Sequence, residues 1–172
     1  MPLSAAASAP PACLDMEASG FGRDSYPIEI GYVLPDGRAF CSLIRPDPSW
    51  THWDPAAQRL HHLERSTVVH HGRDLAEVAA RLNADLRGMT LYCDGWAHDF
   101  AWLHLLFHAA GLTPKFRLEN VRRLLTEAEA ERWHAVKEQV ALEVPVERHR
   151  ASGDARLLQL TWVRLRAETA PH

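Results

Sequence analysis

The chain has 172 residues, 47% of them hydrophobic and 24% charged, which suits one soluble globular domain able to bury roughly two-thirds of its unfolded surface. A net charge of -3 argues against a protein that coats nucleic acid through bulk positive charge. No apolar run approaches the ~20 residues that a bilayer-spanning helix needs. Residues 1–11, rich in Ala, Ser and Pro without a basic start or an apolar stretch, read as a flexible N-terminal tail before a single domain over 12–172. Hydrophobic periodicity of two then predicts strands over Ala12 to Glu17, Tyr26 to Leu34 and Arg38 to Ile44, the last two forming a hairpin around Pro35-Asp36-Gly37. Asp54 followed by Pro55 has the form of an N-cap and first helical residue, opening a helix to about Glu64. A second helix is expected over Asp74 to Arg87, closed by Gly88, and a short apolar strand over Thr90 to Cys93. Further helices are predicted from about His98 to Ala110, from Val121 to Val140 and from Ser152 to Ala167. The order, three strands, two helices, a strand and three helices, points to an α/β domain with a mixed sheet. Cys13, Cys41 and Cys93 lack metal-ligand spacing and read as small buried thiols in the reducing compartment of a cytoplasmic protein.

Three short strings carry the chemistry. In the first strand Asp15 and Glu17 stand two apart and project from one face, while Leu14 and Met16 point into the opposite layer. Buried like charges without a counter-ion are costly, so this pair predicts a cation between them rather than a solvated edge. Asp99 falls in the first turn of a helix that becomes aromatic and aliphatic at Trp102 and Leu103; a helix-dipole partner is the competing reading, and His98 and Asp94 are alternative ligands. His149 and Asp154 are five residues apart, about 140° around a helix, so they share a site only if His149 sits on the preceding loop and Asp154 in the first turn. Four carboxylates and one histidine are what two divalent cations acting on a phosphodiester require.

The strings Asp15-Met16-Glu17-Ala18-Ser19-Gly20-Phe21, Ile28-Glu29-Ile30-Gly31, Asp99-Phe100-Ala101-Trp102-Leu103 and His149-Arg150-Ala151-Ser152-Gly153-Asp154-Ala155 together resemble the DEDDh 3'-5' exonucleases, the group of oligoribonuclease, ribonuclease T and proofreading exonucleases. The resemblance runs over about residues 12–167, with the motifs in the family's order. It implies a ribonuclease-H-like fold with a five-stranded mixed sheet flanked by helices, and two Mg2+ or Mn2+ ions held by Asp15, Glu17, Asp99 and Asp154. It also implies His149 as the general base, and a 3' end of single-stranded RNA or DNA lying along Ala18, Ser19 and Gly20 with its terminal base against Phe21. Products are then 5'-mononucleotides, and a homodimer is a possible assembly. One departure from the family pattern is Asp94-Gly95, where a His-Asn pair is usual.

Two other readings compete with a nuclease: a non-catalytic nucleic-acid-binding module on the same fold, and a zinc hydrolase built from His61, His62, His70, His71, His104 and His108. Trp50 and Trp53 are candidates either for lining a substrate groove or for covering the sheet edge. Arg122, Arg123 and Lys137 read as a solvated face.

Overall fold

The computed structural model describes residues 9–169; most of the expected N-terminal tail, residues 1–8, lies outside them. Three antiparallel strands open the chain, β1 (Ala12–Ala18), β2 (Pro27–Val33) and β3 (Ala39–Leu43). The hairpin turn is the one expected, with Gly37 at φ 85° and the Leu34 amide donating to the Arg38 carbonyl at 2.8 Å. Helices α1 (Pro55–His61), α2 (Arg65–His71) and α3 (Leu75–Asp85) follow, then β4 (Thr90–Cys93), α4 (Trp96–Ala109), β5 (Arg117–Asn120), α5 (Glu127–Glu143) and α6 (Ala151–Thr169). The sheet order is β3-β2-β1-β4-β5, with β4 parallel to β1 and β5 parallel to β4, so the five-stranded mixed sheet is present and β1 is its centre. No described helix is long and apolar enough to cross a membrane.

Three elements differ from the sequence expectation. The first helix stops at His61 because His62 turns into the left-handed region at φ 58°, and a separate helix, α2, forms beyond it. Its Ser-Thr-Val-Val run has weak helical propensity; burial of Val68 with Tyr26, Ile28 and Leu63 outweighs that preference. The strand β5 has the polar sequence Arg-Leu-Glu-Asn with only Leu118 buried, and its strand state comes from pairing with β4 rather than from its own pattern. Val121 to Leu124 is a single 3-10 turn instead of the start of a long helix, and α5 begins at Glu127 behind a capping box in which Thr126 and Glu129 bond each other's backbone.

Alternation along β1 sorts the interior into two layers. Ala12, Leu14, Met16 and Ala18 face α3 and α4 in the larger core, while Cys13 joins Val33 and the apolar faces of α5 and α6 in the second. Asp15 and Glu17 share the parity of Cys13 and therefore point to the α6 side. Across the ladder Asp15 pairs with Gly31 and Glu17 with Glu29. The position opposite Asp15 must be glycine, because a Cβ at residue 31 would collide with the backbone of Ala151 and Ser152. The first turn of α6 thus lies directly on β2. Replacing Gly31 with Ala is expected to cost about 1–3 kcal/mol, since neither backbone can yield without moving an element; thermal melting measures it, and an unchanged midpoint would show that α6 can slide.

Candidate metal centre and active-site cleft

The carboxylates expected from the sequence converge. Asp15 and Glu17 from β1 and Asp154 from the first turn of α6 each offer an oxygen within 4.8 Å of the others. Together with Asp99 they line a cleft of about 330 Å³. Asp99 enters from the first turn of α4, where its amide donates to the Gly95 carbonyl at 3.0 Å; it is 3% exposed and its Oδ2 has no hydrogen-bond partner. His149 also lines the cleft, from the turn before α6 as the spacing argument requires. Its backbone sits at φ 58° and its amide donates to Asp154 Oδ2 at 3.0 Å, tying the turn to the carboxylate it precedes.

Electrostatics follow from that convergence. Burial first, and then the charges of Asp99, Glu17 and Asp154, hold the Asp15 carboxyl well above the usual carboxylate range. Glu17 is pushed up to about 8 by burial and by Asp154, Glu29 and Asp99. Asp99 is pushed up to about 7, chiefly by burial with Asp94 adding to it. A buried acceptor with no donor and three clustered acids form an oxygen-only donor set, which fits a hard divalent cation such as Mg2+ or Mn2+. Among the described residues this is the one cluster of three or more ligating groups. The histidine pairs form no such cluster there.

The remaining expected residues separate by role. Ala18, Gly20 and Phe21 line the cleft, with Phe21 61% exposed at its mouth. Ser19 does not: it is buried, its amide donates to the Tyr26 carbonyl, its carbonyl accepts from the Asp54 amide, and its hydroxyl accepts from the Tyr26 amide and contacts His52 Nδ1. It ties the end of β1 to β2 and to the cap of α1. Asp94 is held by α5, with Lys137 Nζ at 2.7 Å and Trp133 Nε1 at 3.4 Å, so Lys137 belongs to the surroundings of the site and not to a solvated face. Trp50 stacks on Tyr26 and Trp53 meets His61 edge to face, covering the strand end outside the cleft.

Several site residues escaped the sequence reading. Ala57, Leu60 and His61 of α1 form the wall facing Trp102. His61 is buried and its Nδ1 accepts from the Leu63 amide at 3.0 Å, which puts any ring proton on Nε2. More consequential is Glu29. Fully buried on β2, it receives Arg150 Nε at 3.0 Å and Nη2 at 2.6 Å, and also accepts the Ala151 amide at 2.9 Å. A carboxylate inside the apolar run Pro27–Val33 was the available signal, and it specifies a buried partner.

No protein-family model and no curated protein sequence matches this chain. Solved structures do. The zinc-bound E. coli exonuclease I complex with single-stranded DNA superposes with a TM-score of 0.71 at 12% identity, covering 92% of this chain and 40% of that one. The Mg2+- and Mn2+-bound S. pombe Pop2p gives 0.65 at 13%, covering 93% and 84%, and exonuclease I of Methylocaldum szegediense gives 0.65 at 14%, covering 93% and 40%. The chain thus shares the ribonuclease-H-like fold of these exonuclease I and Pop2p structures and spans about 40% of the length of the exonuclease I chains.

Two outcomes are expected. Arg150→Ala leaves the Glu29 carboxylate buried without its cation, a loss of about 3–5 kcal/mol, whereas Glu29→Gln keeps an acceptor for Ala151 and loses about 1–3 kcal/mol; denaturant unfolding ranks the two, and the reverse ranking would contradict the clamp. Glu17 and Asp99 hold protons in the folded chain to about 8 and about 7, against roughly 4 in the unfolded one. The folded state therefore binds more protons across that window, and stability without metal falls as pH rises from about 4 to about 8. Chelated protein should melt lower near pH 8 than near pH 5, and Mn2+ should raise the midpoint most at the alkaline end, where it need displace fewest protons. A midpoint that climbs with pH in chelator contradicts this.

Proposed function

We propose that this chain is a metal-dependent 3'-5' exonuclease of the DEDDh type that hydrolyses single-stranded nucleic acid, RNA or short oligoribonucleotides in preference, and releases 5'-mononucleotides. The observation that carries the reading is the convergence of β1, α4 and the start of α6 on one cleft, with Asp15, Glu17, Asp99, Asp154 and His149 all lining it. Asp15, Glu17, Asp99 and Asp154 would hold two Mg2+ or Mn2+ ions, which when bound would supply Lewis acidity for the attacking water and positive charge for the scissile phosphate and the leaving 3'-oxygen. His149 accepts the proton of the attacking water; its turn lies outside the helix, so the imidazole can swing while Asp154 stays in place. Lys137 favours the ionised forms of Asp15 and Asp99 and so offsets a small part of the burial and carboxylate repulsion that hold protons on them. The backbone of Ala18 and Gly20 lies along the terminal nucleotide, Ser19 holds that turn by its hydrogen bonds, and Phe21 stacks on the terminal base. Of the three cysteines expected to be buried, Cys13 and Cys93 are and Cys41, on the edge strand β3, is exposed; the free thiols suit a reducing cytoplasm.

The test is time-resolved digestion of 5'-labelled single-stranded RNA and DNA with Mn2+, Mg2+ or chelator. A ladder shortening from the 3' end only with metal is expected, faster on RNA. Asp15→Asn should abolish it with the fold intact. His149→Gly should lower turnover by roughly 10²–10⁴-fold without lowering the melting midpoint, because glycine accepts the left-handed backbone that histidine occupies there. Undiminished cleavage by either variant would remove that residue from the chemistry.

A further inference from the structure

A second concavity, of about 470 Å³, lies between α4 and the edge strand β5. Its α4 wall is a ladder of aromatic rings at i, i+4 and i+8: Trp96 and Phe100 have centroids 4.9 Å apart, and Phe100 and His104 4.2 Å apart. Each step rises about 6 Å along the helix. Trp96 and Phe100 are 37% and 38% exposed, large for rings of that size, and the indole is pinned across the groove by its Nε1, which donates to the Leu118 carbonyl of β5 at 3.1 Å. The opposite wall is cationic. Arg117 and Arg123 line it with the single acid Glu119, and Lys115 and Arg122 are their neighbours in sequence, in a chain whose net charge is -3. Arg117 has no ion pair among the described residues. Arg123 is paired with Glu119 at 2.9 Å, but its side chain is 69% exposed, so the pair is a weak surface one and the guanidinium stays available.

A row of mutually packed, partly exposed aromatic rings beside a positive strip matches one ligand chemistry, single-stranded nucleic acid, whose bases stack without regard to sequence and whose phosphates need cations. Its position supplies the rest of the argument. Gly95, His98 and Asp99 line the carboxylate cleft while Trp96 and Phe100 line the groove, so the first two turns of α4 border both. Trp96 and Asp99 are only about 60° apart around that helix. We propose, on the strength of the exonuclease reading, that this groove is an extended substrate track: the strand whose 3' end sits at Asp15 and Glu17 passes the end of α4 and lays its upstream bases on Phe100 and Trp96, with its phosphates toward Arg117 and Arg123. Grip on long strands then has a source separate from the chemistry, and the shortest substrates bypass it.

The test compares a single-stranded 20-mer with a dinucleotide in Mn2+, using wild type, Phe100→Ala and the double variant Arg117→Ala/Arg123→Ala. All three positions are exposed, and melting midpoints check that the fold is kept. Expected is a rise in KM for the 20-mer of about fivefold or more in Phe100→Ala, the low end of what a base-stacking ring contributes. In the arginine variant the salt dependence of 20-mer binding should fall by about one per lost phosphate contact. Dinucleotide hydrolysis should be unchanged in both. If both variants handle the 20-mer as wild type does, the track is overturned while the exonuclease stands. If wild type is a dimer by light scattering, the variants are monomers, and both substrates suffer alike, the face is a subunit contact and the track is equally overturned. If wild type hydrolyses neither substrate and binds no 20-mer, the exonuclease reading fails and takes the track with it.

Discussion

The close approach of α6 to β2 at Gly31 is the constraint on which the cleft depends. Asp15 and Glu17 stand on β1 and are separated only by the strand repeat; Asp154 comes from more than 130 residues further on and has no local reason to be near them. What brings it there is the absence of a side chain at residue 31, directly across the ladder from Asp15. The helix then lands one layer closer to the sheet than side-chain packing would allow, and Asp154 in its first turn meets Asp15 and Glu17. Glu29, two residues along the same strand face, fixes the landing by accepting both the Arg150 guanidinium and the Ala151 amide. Helix N-termini attract carboxylates, and Glu29 uses that attraction to orient α6.

That anchorage matters because the site opposes folding. Four carboxylates in one partly buried cleft repel each other and lose hydration, and the chain meets this by holding protons on Asp15, Glu17 and Asp99 when no cation is present. Neighbouring cations are sited to moderate the repulsion without filling the cleft. Lys137 is turned away onto Asp94, and Arg150 onto Glu29, so each contributes field but no ligand. Asp94, which stands where the exonuclease pattern has a histidine, is thus an anchor for α5 rather than a fifth ligand.

Most of the carboxylate cluster was legible because its signals are local: an i, i+2 carboxylate pair on a strand, an acid in a first turn, a histidine one loop ahead of an acid. Residues whose role depends on tertiary packing were not. Leu60 and His61 reach the cleft only because α1 breaks at His62 and the chain turns back, and nothing in the His61-His62 pair distinguishes that from a surface pair. The polar β5 has no strand pattern of its own and takes its state from β4, which is also why Arg122 and Arg123 read as helix surface when they follow a strand edge. The Thr126-to-Glu129 capping box did mark the true start of α5, and a reading that weighted caps above charge would have found it. Ser19, expected to contribute through its backbone, also spends its hydroxyl on the Tyr26 amide and a contact with His52, ties that no local signal announces.

On the proposed reading, His149 as base and Asp154 as ligand are adjacent yet held differently around α6. Asp154 lies inside the helix, with its amide bonded to the Arg150 carbonyl and its carboxylate receiving the His149 amide, so its position is as rigid as the clamp behind it. His149 sits outside the helix in a left-handed conformation that few side chains adopt without cost, and only its backbone is tied. A ligand must not move when a cation binds, whereas a base must reach the water, give up its proton and let product leave. Placing the first in the helix and the second one residue ahead of the clamp lets a single structural anchor, Glu29 with Arg150, serve both requirements.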